Sequence, residues 1–173
     1  MLNSIKKGAV LAAIALCGLS ANTHAQTNSL TPAVVTVTLV DILAVAVSTP
    51  AIPIVFATVA DYQNGKTIPM PLHVIVSSNR PYDLKVKSAG DLTSALPNTP
   101  AIPINNVSVQ VTTPGMNAAA AQALSTSDVT LTTSSPAAMA RAIDVTYSTA
   151  AGNSAFVNTG VYTANLTYSV TAH

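Results

Sequence analysis

The side chains that could carry chemistry are few. The chain has one cysteine, three histidines and six acidic residues, and every acidic residue is Asp. Cys17 lies within an apolar stretch near the N-terminus, His24 precedes Ala25, and His173 ends the sequence. His73 is therefore the one candidate general base in the body of the chain. It stands beside Leu72, Val74 and Val76, whose alternation places those three on one face of a strand and His73 on the other. It reads as an exposed or hydrogen-bonded strand residue rather than as a base or a ligand. There is no His-x-x-x-His pair and no cysteine cluster, so no zinc site of ordinary spacing is expected. No nucleophile elbow and no glycine-rich phosphate loop occurs. Asp61 to Gly65 faintly resembles a calcium loop, but it lacks the alternating carboxylates and the closing Glu, and reads as a hairpin turn at Asn64-Gly65. Asp83, Asp91, Asp128 and Asp144 are scattered. The expectation is a chain with no catalytic residues, no metal site and no cofactor.

Binding chemistry is equally sparse. The formal net charge is +1, which gives no basic footprint for nucleic acid. Five Tyr, two Phe and no Trp are too few for a stacking platform. Asn106-Val107-Ser108 and Asn165-Leu166-Thr167 match the glycosylation acceptor, but both fall within expected strands.

The elements that must position these residues are strands. Glu is absent and charged residues make up only 8% of the chain, whereas Val and Thr abound, which favours strand over helix. Period-two alternation, bounded by Pro, Gly and Asn, predicts strands over Ala33–Val47, Ile54–Val59, Leu72–Ser77, Tyr82–Lys87, Val107–Val111, Val129–Leu131, Ala142–Ser148 and Val161–Ala172. Tyr82, Leu84, Val86, Leu166 and Tyr168 belong in the core. Residues 88–103 read as an irregular connection, and Met116–Leu124 is the only expected helix. About eight strands at roughly ten-residue spacing predict an all-β sandwich of seven to nine strands, Ig-like or jelly-roll-like, and not a βαβ fold. Thr49-Pro50-Ala51-Ile52-Pro53-Ile54 recurs as Thr99-Pro100-Ala101-Ile102-Pro103-Ile104. The flanks differ, so the two copies read as proline-stiffened entries into strands.

Residues 1–25 read as a secretory signal: Lys6-Lys7, the apolar run Gly8–Leu19, then Thr23-His24-Ala25, with cleavage between Ala25 and Gln26. Leu16 before Cys17 argues against lipid attachment, which favours a small residue there. Removing the signal takes away Lys6, Lys7 and Cys17, so the exported domain has no disulfide and must rely on its core. No apolar stretch beyond it reaches the ~18 residues of a spanning helix. Residues 26–40 are expected to form an N-terminal arm, and residues 41–173 the sandwich.

The run Ala33–Val47 is the most informative segment. At about 3.3 Å per residue it would extend roughly 50 Å, far beyond an ordinary strand. Val35, Val37 and Leu39 share one face, with Thr36 and Thr38 opposite. Asp41 divides the run. The part after it reads as a strand buried on both faces, and the part before it as an arm with one apolar face. An apolar arm invites pairing with another chain, so Val35, Val37 and Leu39 are the candidate self-assembly residues.

The mature chain resembles fimbrial and pilus-type subunits in its signal, its Thr/Val/Ala-rich strands and its closing segment Gly160–Ala172. It is also similar to small exported β-sandwich surface proteins of Bacteroidota, through Ser78-Asn79-Arg80-Pro81-Tyr82-Asp83-Leu84 and the Asn-Gly turn. That resemblance implies Ig-like subunits joined by donor strands. Two features depart from it: the usual disulfide is absent, and the final strand looks complete. The expectation is a secreted, cell-surface subunit that polymerises with itself, with an export or assembly chaperone as a further partner. The competing expectation is a monomeric adhesin or ligand-binding module of the same fold.

Overall fold

The computed structural model describes residues 34–173. The signal region, the Ala25–Gln26 junction and the arm before Val34 lie outside the described residues. Val34–Thr38 form one part, without regular secondary structure, and Leu39–His173 form the other. The second part is an all-β sandwich. Its seven strands of five or more residues are β1 (Leu43–Val47), β2 (Thr67–Ser78), β3 (Tyr82–Ser88), β5 (Val107–Val111), β7 (Val129–Ser135), β8 (Ala138–Thr149) and β10 (Leu166–Ala172). Three two-residue strands complete it: β4 (Thr93–Ser94), β6 (Gln122–Ala123) and β9 (Tyr162–Thr163). One sheet has the order β1-β2-β8-β5-β6, the second β10-β3-β7, and β4 pairs with β9 separately; every pairing is antiparallel.

Alternation explains the core. Tyr82, Leu84 and Val86 of β3 are fully buried, as are Val109 of β5 and Ile143, Val145 and Tyr147 of β8. Their neighbours Asp83, Lys85, Thr146 and Ser148 are only half-buried, which is the pattern of a sheet with one face in the core and one towards water. Of the remaining residues expected in the core, Tyr168 is buried and Leu166 is half-buried against it.

Several elements depart from the alternation, each for a physical reason. The first strand is short. Only Leu43–Val47 joins a ladder, because its one partner, β2, ends at Ser78. Ahead of it the backbone is held by side chains instead. The Ile42 amide donates to Asn79 Oδ1 (3.0 Å), Asn79 Nδ2 donates to the Val40 carbonyl (2.8 Å), and Arg80 pairs with Asp41 at 2.9 Å. Nor is β1 buried on both faces: it is an edge strand in which only Val45 is half-buried.

Ile54–Val59 joins no ladder. The hairpin expected around Asn64-Gly65 is replaced by the helix α1 (Val59–Asn64). Thr58 and Asp61 form a reciprocal capping box, which satisfies the first free amides of that turn. Asp61 also accepts from Ala57 N and Thr58 N, both at 2.8 Å, and pairs with Lys66 Nζ at 2.9 Å. The Lys66 ammonium, with those two amides, holds the Asp61 carboxyl well below the usual range.

The Ala-rich stretch Met116–Leu124 is not helical. Ala118 bridges Thr132 of β7, and Gln122–Ala123 pair with β5, so this segment crosses from one sheet edge to the other. Those ladder bonds satisfy its backbone in place of helical ones. The closing run breaks at Ala164-Asn165 into β9 and β10, and the Asn165 carbonyl accepts from Ala89 N at 2.8 Å. Neither glycosylation motif therefore has its Asn in a strand. Asn106 ends a 3-10 turn (Ile104–Asn106), and Asn165 lies between β9 and β10.

Gly65 fixes the exit from α1. Its φ is +71°, and a Cβ there would stand 2.3 Å from the Thr149 carbonyl oxygen. Gly65→Ala is expected to lower stability by on the order of 2–4 kcal/mol in urea unfolding. Gly90→Ala, which meets nothing within 4 Å, serves as the control. Equal unfolding midpoints for the two variants would refute this account of the turn.

Candidate functional site

The residues singled out for chemistry come to rest in separate places. Asp41 binds Arg80, Asp61 binds Lys66, and Asp83 accepts from His173 Nε2 at 2.6 Å. Asp91 accepts from Ile104 N at 3.0 Å, and Asp144 from Leu72 N at 2.7 Å. Five of the six carboxylates thus serve separate structural bonds, and Asp128 lies apart from them just before β7. Among the described residues, no three His, Cys, Asp or Glu side chains gather to hold a metal ion.

His73 is on the opposite face from the one the alternation assigns. Leu72 has φ 51°, and the register between β2 and β8 shifts from Met70 to Val74. The alternation is interrupted there: Leu72 is 59% exposed and His73 is 1% exposed. Inside, His73 Nε2 lies 3.2 Å from the Tyr147 hydroxyl, which is in turn hydrogen-bonded to the Tyr168 hydroxyl. The His73 ring meets both tyrosine rings edge-on at 5.7 and 5.8 Å. His73 and Tyr147 come from one sheet and Tyr168 from the other, so the chain of three crosses the core.

Burial pushes the His73 pKa down and raises both phenols, Tyr168 to about 12. All three side chains are thus neutral at pH 7. Buried in the core, they form a polar staple between the sheets.

A concavity opens to one side of this staple, with Tyr147 in the wall of its second part. A cavity of about 590 Å³ opens between the segment Ile52–Phe56 and residues Asn158–Thr163. A second, of about 350 Å³, continues it along Thr163–Leu166; the two share Ile52, Ile54, Leu92, Val107, Tyr162 and Thr163 in their walls. Together they make one trough, and among the described residues no charged side chain lines either part.

Both copies of the repeated hexapeptide meet here. Ile52 and Ile54 of the first form a wall, and Ile102 and Ile104 of the second lie in the floor. The first copy does not lead into a ladder as expected, whereas the second reaches β5 through the 3-10 turn. Phe56 stacks on Phe156 at 5.0 Å and closes one end. Sequence reasoning missed this trough, although the two-residue spacing of Ile in a twice-used hexapeptide was its signal.

The candidate self-assembly residues Val35, Val37 and Leu39 are 84, 73 and 86% exposed. With Val34 and Val40 they put five large apolar side chains of one short segment in water.

Because the folded pKa of His73 lies below its ordinary 6.5, the unfolded chain binds the extra proton first as the pH falls. Its contribution is fully present above pH 6.5 and is lost as the pH drops below that value. Unfolding free energy is therefore expected to decline between pH 7 and pH 5, and His73→Phe to flatten that slope whatever it does to absolute stability. An unchanged slope in the variant would refute the assignment. No protein-family model matches this sequence, and no curated protein matches it either.

Proposed function

We propose that the protein is an exported structural subunit that associates with further copies of itself through β-strand donation, at the bacterial cell surface. One observation carries the reading: the exposed apolar residues Val34, Val35, Val37, Leu39 and Val40 precede an otherwise well-packed sandwich. A monomer gains nothing from such a segment and risks aggregation by it, whereas a subunit that lends it to a neighbour buries it. Strand addition suits the sequence. Main-chain bonds give the affinity, while Val35, Val37 and Leu39, on alternate positions, fill pockets. Full burial of each contributes about 1.5–3 kcal/mol, so three anchors and a ladder make a durable joint.

The Lys6-Lys7 start, the apolar run Gly8–Leu19 and the Thr23-His24-Ala25 site support export with cleavage before Gln26. An export or assembly chaperone would shield the arm before assembly. Scattered, structurally engaged carboxylates and a sealed His73 support a structural role over a catalytic one.

The triple variant Val35→Asp/Val37→Asp/Leu39→Asp is expected to abolish assembly in size-exclusion chromatography and electron microscopy. It should keep its unfolding free energy within about 0.5 kcal/mol. Wild-type protein that stays monomeric at high concentration would overturn the proposal. So would a variant that loses folding stability, since the arm would then belong to its own domain, as in a monomeric adhesin.

A further inference from the structure

We infer that the trough between Ile52–Phe56 and Asn158–Leu166 is the acceptor for the arm of a second copy of this chain, so that subunits join head to tail. This rests on the donation proposed above and adds to it where the arm goes.

Three observations point to a strand as the occupant. Ala51–Phe56 alternates exposed and half-buried residues as a strand does, yet none of its backbone groups takes part in a backbone hydrogen bond among the described residues. The trough therefore has a wall with an unused ladder edge. The Tyr162 hydroxyl on the facing wall is buried with no hydrogen-bond partner among the described residues. An incoming backbone would supply one. Finally, the walls carry no charge, and neither does the arm Ala33–Val40, so no ionised group would be desolvated on docking.

The positions of root and trough set the symmetry. The root of the arm is held at Asn79 and Arg80, beside the Tyr82 end of β3. The trough lies at Leu166, which pairs with Ser88 at the other end of β3. Seven residues of strand separate them, about 20 Å. The two surfaces that meet are thus different surfaces at opposite ends of one sandwich. Such a contact is heterologous, and it propagates unless rotation closes a ring.

The competing acceptor is the outer edge of β10. There His173 N donates to Pro81 O and Ala89 N to Asn165 O, so by antiparallel alternation Leu166, Tyr168, Val170 and Ala172 turn their backbone groups away from β3. That edge has β1 near it, with Cα atoms within 8 Å, whereas the trough is an open cavity. The trough therefore has room for side chains that the β10 edge lacks.

Cysteine pairing separates the two. In a Cys17→Ser background, Val37→Cys protein is mixed with Val161→Cys protein, and separately with Thr171→Cys protein. Val161 lines the trough and is 78% exposed, and Thr171 is an exposed residue of β10, so neither change disturbs the core. Under mild oxidation the mixed disulfide is expected with Val161→Cys and not with Thr171→Cys. It should be lost when Val35→Asp and Leu39→Asp are added to the arm partner. An apolar dye that fluoresces in the trough of dilute monomer should lose its signal on assembly. Assemblies that cross-link through Thr171→Cys, or that keep the full dye signal, would overturn the trough as acceptor while leaving donation intact. A chain that neither assembles nor cross-links at any concentration would overturn both.

Discussion

The arrangement of this sandwich depends on one hydrogen bond in the middle of β2, between the Leu72 amide and the Asp144 carboxylate of β8. Leu72 takes a left-handed conformation there, which a branched side chain adopts only under constraint. The constraint is two-sided. Asp144 receives the amide, while Ser48 hydrogen-bonds to the Leu72 and His73 carbonyls through its hydroxyl and to His73 through its backbone. From Met70 to Val74 the chain advances four positions against two on β8, and these two extra residues shift the register and bend the strand, as bulges do.

Two consequences follow from that insertion. First, His73 turns into the core beside Val74, while Met70, Val74 and Val76 keep the inward face on either side, and it completes the polar staple with Tyr147 and Tyr168. A core without disulfides thereby gains a directional link between its sheets, and the link is costly to break because its groups are sealed from water. Second, β1 leaves the sheet at Ser48. Beyond that point the outer side of β2 has no β1 beside it, and Pro50 and Pro53 carry the chain outward as an extended wall. Pro lacks an amide hydrogen and is at home in a segment without a ladder.

Much of this was legible in the sequence, and the failures share a cause. The β3, β5 and β8 strands follow from alternation alone, since each has one wet and one dry face. The core residues Tyr82, Leu84 and Val86 follow with them. Alternation carries no information on where a ladder partner ends, so Ala33–Val47 read as one long strand although β2 supports only Leu43–Val47. It is also blind to inserted residues, which is why Leu72 and His73 exchanged faces. The helix at Val59–Asn64 did leave a signal, the Thr58-x-x-Asp61 spacing of a capping box. That signal was overridden by the apolar run before it and by the turn preference of Asn64-Gly65. The alanine-rich segment erred in the other direction, because intrinsic helix propensity yields to sheet edges that need partners.

The two sides of the sandwich are finished differently, and that asymmetry bears on what the molecule is built for. On one side, residues 117–123 bridge from β7 to β5, so both edges there are paired with the chain itself. On the other side, β1 and β10 come close without a ladder between them, and the extended wall at Ala51–Phe56 has no backbone partner among the described residues. Proteins that must remain monomeric guard such edges with charge, most often Lys. Here Asp41 and Arg80 stand only at the root of the arm and neutralise each other, while the walls of the trough hold none. A chain with this little charge, one closed side and one unguarded side is what the proposed completion of its strand pairing by another copy requires.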